Sequence, residues 1–126
     1  MTVVVDASAA VNVLIGWSAP GVLDVDDDVV APDNFLVEVA SGLRRSVRRG
    51  VLPMQAAPGL LAEALEMPIE LVPSRELIAR AFELRDQVTV ADGCYVALAE
   101  QRECGLITSD ARLARAPGLA IPITVV

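Results

Sequence analysis

Four carboxylates stand out in this chain because each ends or interrupts an apolar segment: Asp6, Glu38, Asp92 and Asp110. A carboxylate placed alone in a core is costly, and several at the rim of one core repel each other unless a cation joins them. Oxygen ligands of this kind suit Mg²⁺ or Mn²⁺. The four acids together therefore predict a divalent metal site.

Each acid also has a purely structural explanation. An acid that directly follows a strand is often the cap of the next helix, which applies to Asp6 and Asp110. Glu38 could form an ion pair with a distant arginine, and Asp92 could cap the helix that follows it. These alternatives stay open at the level of sequence.

The residue types that are absent exclude several chemistries. The chain has no histidine, so histidine acid–base catalysis and triads that contain histidine are ruled out. All ten cations are arginine, which removes phosphate-loop and Schiff-base lysines. A net charge of −7 argues against binding nucleic acid through an overall positive field, although a metal could neutralise an acidic pocket locally.

Two further clusters have simpler interpretations. Cys94 and Cys104 are expected on one helix, too far apart for a disulfide and without histidine for a zinc site, so we interpret them as packing residues. The acidic cluster at 24–28 is not an EF-hand, because its sixth position is Val29 and its twelfth is Phe35. A solvated loop is the expectation there.

The elements that must position the acids are short apolar strands alternating with helices. Such alternation predicts an α/β fold with a parallel sheet covered on both faces, and we expect one domain over residues 1–126. Functional groups gather at the carboxyl ends of parallel strands, which would place Asp6 and Asp110 at one edge. The expected strands are 2–5, 29–31, 69–72, 106–108 and 123–125, and the expected helices are 8–15, 32–49, 54–66 with its regular part from Leu60, 74–85, 90–103 and 111–116.

The hydropathy pattern bears on location. No apolar stretch reaches the roughly 18 residues that a membrane-spanning helix needs. The first residues also run into Asp6 without a basic flank or a cleavage site. We therefore expect a cytoplasmic protein without a membrane segment.

The run Val3-Val4-Val5-Asp6-Ala7-Ser8-Ala9 resembles the opening of PIN-domain nucleases, particularly VapC-like toxins of bacterial toxin–antitoxin pairs. The similarity continues at Glu38, at 89–99 and at 106–113, so that it covers essentially the whole chain. Its most specific part runs from Asp92 to Asp110. One departure is Gly93-Cys94, where relatives commonly carry Ala and a larger residue; glycine inside a helix puts local rigidity in doubt.

The resemblance implies a PIN-like three-layer α/β/α sandwich with a central, mainly parallel sheet. It implies a metal-dependent endoribonuclease that uses Mg²⁺, or Mn²⁺, to activate water for in-line attack on an RNA phosphodiester. Ser8 and Thr108 would be supporting hydroxyls. The implied catalytic and metal-binding residues are Asp6, Glu38, Asp92 and Asp110.

Arginines near these acids are candidates for contact with the RNA backbone, since guanidinium groups bind phosphate well. Alternatives are a solvated helix face, favourable charge at a helix C-terminus for Arg48 and Arg49, or contact with acidic residues of a partner. The candidates are Arg44, Arg45, Arg48 and Arg49 in one run, and Arg112 and Arg115 shortly after Asp110.

The resemblance also implies a cognate antitoxin that covers hydrophobic surface and blocks the acidic pocket, a homodimer, and a higher toxin–antitoxin assembly. Trp17, Leu60, Leu61 and Leu65 could contribute to an exposed apolar surface that a partner covers. Competing readings are a housekeeping RNA-processing nuclease, a non-catalytic PIN-like module that binds RNA or protein, and a phosphatase or phosphotransferase. The last lacks the second aspartate that a nucleophile motif at Asp6 would need.

Overall fold

One parallel sheet of five strands forms the centre of the computed structural model, which describes residues 1–19, 21 and 27–126. The strand order is β3-β2-β1-β4-β5, and every neighbouring pair is parallel. The predicted α/β class with a parallel sheet is confirmed. The strands are β1 Thr2–Val5, β2 Asp28–Pro32, β3 Ile69–Val72, β4 Gly105–Thr108 and β5 Ile123–Val125.

Helices cover both faces of this sheet. Connections between parallel strands are right-handed. The β1–β2 and β2–β3 connections therefore lie on one face of the sheet, and the β3–β4 and β4–β5 connections lie on the other. Accordingly, the first three helices pack in sequence on one another, and the fourth packs on the fifth. The helices are α1 Ala7–Leu14, α2 Phe35–Arg48, α3 Ala57–Leu65, α4 Ile78–Glu83, α5 Val90–Arg102 and α6 Ala111–Arg115, with 3₁₀ turns at Met54–Ala56 and Ser74–Glu76.

The core is built around β1, the central strand. Val4 and Val5 are fully buried because helices cover both sides of the sheet, which explains the uninterrupted β-branched run. Val4 is in register with Val30 of β2 and Leu106 of β4. Against the sheet packs α5, which is buried continuously from Gly93 to Ala99. This packing anchors the N-terminal turn of α5 near the end of β1.

Two glycines allow unusually close helix packing. A methyl group on Gly42 of α2 would lie 2.7 Å from Val11 Cγ2 of α1. A methyl group on Gly93 of α5 would lie 3.0 Å from the backbone of Ala81 in α4. The Gly93 departure therefore has a packing reason: a side chain there would push α4 and α5 apart.

Several predicted boundaries were wrong, each for a local reason. Helix α1 begins at Ala7 because Asp6, not Ser8, is its N-cap. Helix α2 begins at Phe35 because Pro32 still pairs with Val72 in the sheet.

Three other expectations about helices were also wrong. Helix α3 starts before Leu60, since Pro58 lies in its first turn, where the missing N–H costs nothing. The predicted helix at 74–85 is divided into a 3₁₀ turn and α4, and Ser74 makes no capping bond to either. Helix α5 ends before Glu103, which adopts a left-handed conformation with φ 50°.

The structure describes both cysteines and two residues of the acidic cluster. Cys94 is buried in α5 and Cys104 follows the helix end instead of lying within it; both are free thiols. Of the cluster at 24–28, only Asp27 and Asp28 belong to the described residues, and Asp27 lies 3.7 Å from the amino group of Met1. The remainder of the cluster lies outside the described residues.

The predicted apolar surface is only partly exposed. Trp17 is 65% exposed and Leu65 is 59% exposed, as expected. Leu60 and Leu61 are half-buried and pack against the core, so they do not belong to an open patch. Within the described ranges, no helix is long and apolar enough to cross a membrane.

Candidate active site

The four predicted acids line one cleft of about 320 Å³ at the carboxyl edge of the sheet. Asp6 directly follows β1 and Asp110 closely follows β4, at the point where the strand order reverses. Glu38 lies in the first turn of α2 and Asp92 in the first turn of α5. Because both helices begin at this edge, residues far apart in sequence meet there.

The carboxylate of Asp6 is buried and held by hydroxyl groups. Thr108 Oγ1 donates to Asp6 Oδ2 over 2.7 Å, and Ser8 Oγ donates to the same oxygen over 3.0 Å. Asp6 itself is 6% exposed, and Thr108 is fully buried. The two predicted supporting hydroxyls thus contact Asp6, and they fix the orientation of its carboxylate.

The same hydroxyls tie the end of β4 to α1. Ser109 N donates to Ser8 Oγ and Asp110 N donates to Thr108 Oγ1, each over 3.0 Å. Asn12 Nδ2 donates to Ser109 Oγ over 2.9 Å. Sequence reasoning missed Asn12; its position four residues after Ser8, on the same face of a helix, was the available signal.

Glu38 has a different set of partners, from α5 and from the residue that precedes α2. Tyr95, a fully buried residue of α5, donates its hydroxyl to Glu38 Oε1 over 3.1 Å. Asn34 donates its amide to the same oxygen. Among the described residues Glu38 forms no ion pair with an arginine, contrary to the structural alternative weighed from sequence.

The two acids on helices, Glu38 and Asp92, have raised pKa values. Burial is the main cause of the raised pKa of Glu38, and the charges of Asp6 and Asp92 raise it further against the bond from Tyr95. Burial likewise raises the pKa of Asp92, with added repulsion from Asp6 and Asp110. The pKa of Tyr95 is also raised, chiefly by burial and then by Glu38. The cleft therefore favours a bound cation.

Asp110 is compensated by its own neighbour. Partial burial would raise its pKa, but bonds from the side chain and backbone of Arg112 outweigh that effect and lower it. Arg112 Nε lies 3.2 Å from Asp110 Oδ1, and Arg112 N lies 2.9 Å from the same oxygen. Arg112, a predicted RNA contact, is thus engaged with an acid of the site.

The helix-cap alternatives apply to two of the four acids. Asp6 caps α1 and Asp110 caps α6, so each stabilises a helix while it lines the cleft. Asp92 caps no helix, because the N-cap of α5 is Thr89, whose hydroxyl accepts from Asp92 N over 3.1 Å. Capping and cleft lining are compatible, since an acid just after a strand lies both at the start of the next helix and at the carboxyl edge of the sheet.

Only some of the predicted RNA-binding arginines line the cleft of the four acids. Arg45 and Arg49, both predicted RNA contacts, line the cleft. Arg44 and Arg48 are exposed on α2 outside the cleft lining. Arg115, at the end of α6, is exposed and lines neither this cleft nor the smaller one of about 210 Å³ beyond Asp92 and Asp110.

The donor set fits a hard divalent cation in chemistry. The candidate ligands are carboxylate oxygens, and burial and neighbouring acids raise the pKa of two of the carboxyl groups, those of Glu38 and Asp92. As the side chains stand, no three acids, cysteines or histidines among the described residues converge closely enough to hold one ion. A bound Mg²⁺ would keep several waters and would need only one or two of these carboxylates.

Comparison with known proteins shows the family of this chain. A family model described as PIN domain matches residues 3–119. The chain belongs to the PIN-domain family. Ribonuclease VapC12 of Mycobacterium tuberculosis is 37% identical over 119 residues, which are 92% of each chain. Ribonuclease VapC9 of the same species is 35% identical over 124 residues, 98% of each chain. The resemblance to VapC-like PIN domains inferred from the sequence is confirmed.

Solved structures share the fold of this PIN domain. The VapBC2 structure from Rickettsia felis, bound to a promoter DNA fragment, superposes with a TM-score of 0.69 at 14% identity, over 99% of this chain and 98% of that one. PAE2754 from Pyrobaculum aerophilum gives 0.65 at 23% identity, over 96% and 92%. At such identities the likeness concerns the fold, and the PIN-like three-layer sandwich predicted from sequence is confirmed.

Proposed function

We propose that this PIN domain is a metal-dependent endoribonuclease and the toxin of a toxin–antitoxin pair. The observation that carries the proposal is that Asp6, Glu38, Asp92 and Asp110, from four separate segments, line one cleft. Burial and mutual repulsion there raise the pKa of two of them, as expected of a site prepared for a cation. Relatives at 35–37% identity that are named ribonucleases support the activity.

The residues of the cleft divide the work of hydrolysis. The carboxylates would hold Mg²⁺ or Mn²⁺, which would supply polarisation of the phosphate and a lowered pKa for water. The hydroxide formed from that water would attack phosphorus in line, and the P–O bond to the leaving ribose oxygen would break, with that oxygen taking up a proton. Thr108 and Ser8 keep one oxygen of Asp6 oriented, and Tyr95 does the same for Glu38. Since the chain has no histidine, a carboxylate must accept the proton of the attacking water.

The decisive experiment is cleavage of a mixed RNA pool by the purified protein. We expect cutting with Mg²⁺ or Mn²⁺, none with EDTA, and loss of cutting in Asp6→Asn and Asp92→Asn variants whose circular dichroism shows them folded. Asp86→Asn is a matched control, because Asp86 is an exposed acid outside the cleft.

Failure of this experiment has a definite meaning. If no RNA is cut with any divalent metal, or if the folded variants cut as fast as the parent protein, the four-carboxylate mechanism is wrong. The non-catalytic module that binds RNA or protein would then explain the fold better.

The toxin assignment requires a partner and a biological effect. We propose a cognate antitoxin that blocks the cleft, and a homodimer that enters a larger toxin–antitoxin assembly; solved VapBC toxin–antitoxin structures with this fold support that expectation. Expression alone should arrest growth, and co-expression of a small neighbouring gene should restore it and inhibit cleavage. Light scattering would give the assembly sizes. Cleavage without growth arrest would instead favour a housekeeping RNA-processing nuclease.

A further inference from the structure

The acidic cleft does not end at the acids but continues between α1 and α2. Along α2 its lining passes from Glu38 through Gly42 to Arg45 and Arg49. These positions follow one another by three or four residues, so they form one stripe along the helix. At about 1.5 Å per residue, the stripe carries the lining about 16 Å away from Glu38. We call this continuation the α1–α2 groove.

The groove changes its chemical character along that distance. Its inner end carries the four acids, whereas its outer end carries two guanidinium groups, those of Arg45 and Arg49. Within the described residues neither arginine is in an ion pair. Both are therefore available to bind an anion that extends outward from the acids.

Gly42 lets α2 pack closely against α1 at the base of the groove. Gly42 has no side chain, and a methyl group there would lie 2.7 Å from Val11 Cγ2. Contact at this point joins the two helices below the stripe, so the arginines stand at the wall of a continuous channel, with Val11 as part of its base.

An exposed indole completes the outer end. Trp17 lines the groove while 65% of its surface remains exposed. Its position is determined by the backbone, since the amides of Trp17 and Ser18 donate to Asn12 O over 2.8 and 3.0 Å. An exposed aromatic face beside two phosphate-binding groups is the arrangement with which proteins hold single-stranded nucleic acid, by stacking on a base and pairing with the backbone.

We propose that the α1–α2 groove binds the single-stranded RNA that flanks the cleaved phosphate, with Arg45 and Arg49 on backbone phosphates and Trp17 stacked on a base. This inference rests on the proposed nuclease function. An acidic protein segment could pair with the same arginines, but RNA is favoured because it alone supplies both the phosphates and a base for the indole. Arg44 and Arg48, which neighbour these residues in sequence, have no part in the groove.

The chain offers a direct probe, because Trp17 is its only tryptophan. Asp92→Asn protein in Mg²⁺ is titrated with a short single-stranded RNA, and the RNA is checked afterwards for integrity. Base stacking should quench the fluorescence of Trp17, whereas an abasic strand with the same phosphates should bind without quenching. Asp6→Asn serves as a second background should the first fold poorly.

Matched arginine variants separate groove contacts from general charge. Arg45→Gln and Arg49→Gln should each weaken RNA binding about tenfold and lower the slope of log affinity against log salt by about 0.7. Arg44→Gln and Arg48→Gln remove the same charge from the same helix and should leave the slope unchanged. Trp17→Leu should weaken binding about tenfold, and Trp17→Phe should restore most of it.

The result can be read independently of the nuclease proposal. If the parent protein cuts RNA while the Trp17, Arg45 and Arg49 variants keep its KM, the groove inference is wrong and the nuclease stands. If the protein cuts nothing but binds RNA with quenching and with these arginine effects, the groove inference stands without the nuclease. Quenching by an acidic peptide but not by RNA would overturn the inference in favour of a protein partner.

Discussion

The strand side and the helix side of the cleft hold their acids in opposite ways. Asp6 and Asp110 follow strands, cap helices and accept several hydrogen bonds from hydroxyl, backbone or guanidinium groups. Glu38 and Asp92 lie within the first turns of helices, where burial and neighbouring acids raise their pKa values. Hydrogen bonds thus stabilise the carboxylates on the strand side, whereas on the helix side burial and repulsion between acids outweigh the hydrogen bonds that Glu38 accepts.

This difference indicates that the two acids on the strand side stabilise the fold and that the two acids on the helix side serve the site. An acid with its full set of hydrogen bonds is part of the scaffold, and its removal should damage the fold and the site together. An acid with a raised pKa destabilises the metal-free protein, and its removal should affect the site alone. Predictions that compare the two sides can therefore test the assignment.

The largest expected effect is on cleavage. Asp92→Asn and Glu38→Gln should lower the cleavage rate by more than the roughly 10–100-fold that loss of a group supporting a metal ligand usually costs. Initial rates in Mg²⁺ over a range of RNA concentrations measure this. Glu63→Gln, on exposed α3, should cut at the parent rate. Equal activity in Asp92→Asn would remove the helix side from the mechanism.

The next effect concerns metal and pH. The raised pKa values of Glu38 and Asp92 mean that their contribution to stability is present at acid pH and is lost as the pH rises through those values. Mg²⁺ at about a hundred times its dissociation constant should restore about 2.7 kcal/mol at neutral pH.

Urea unfolding with Mg²⁺ or EDTA across a pH series measures this stabilisation. The Mg²⁺ effect should fade as the pH falls through the same pKa values. Asp110 works in the opposite sense, since its lowered pKa gives a contribution that is lost as the pH falls. A Mg²⁺ effect that stayed constant down to strongly acid pH would contradict binding by Glu38 and Asp92.

A smaller effect distinguishes the two sides by stability alone. Asp6→Ala removes the cap of α1 and the acceptor of Thr108 Oγ1, which should lower the free energy of unfolding by about 1–3 kcal/mol. Glu38→Gln should leave the metal-free protein as stable as the parent, or more stable, at neutral pH. Both are measured by urea unfolding in EDTA. Equal losses in the two variants would erase the distinction.

The smallest effect tests the packing that positions Asp92. Gly93→Ala would place a methyl group 3.0 Å from the backbone of Ala81, and the strain should outweigh the better helix propensity by about 1 kcal/mol. Gly59→Ala is the matched control, because nothing lies within 4 Å of its added methyl group. The free energy of unfolding of the control should rise by up to about 1 kcal/mol. Thermal unfolding of both variants measures these changes. A gain in both variants would show that α4 and α5 can separate easily.

Much of the fold followed from local patterns. The strands β3 and β5 have the predicted bounds, because short β-branched runs between turn residues have few other conformations. The predictions were wrong where a long-range contact outweighed the local conformational preference of a residue. Pro32 is a good first residue for a helix, yet its pairing with Val72 keeps it in the sheet. Glu103, a residue without special turn preference, ends α5 in a left-handed conformation that the sequence did not indicate.

By itself, the sequence determined which chemistry is available: carboxylates and arginines, no histidine and no lysine, with four acids set against apolar segments. It also determined the parallel α/β fold, since local periodicity and strand–helix alternation leave few other folds. Only the tertiary structure decided which groups meet, such as Tyr95 with Glu38 and Arg112 with Asp110. Only the tertiary structure also showed that Arg45 lines the cleft and that Arg44 does not, because the packing of a helix decides which of its faces borders the cleft.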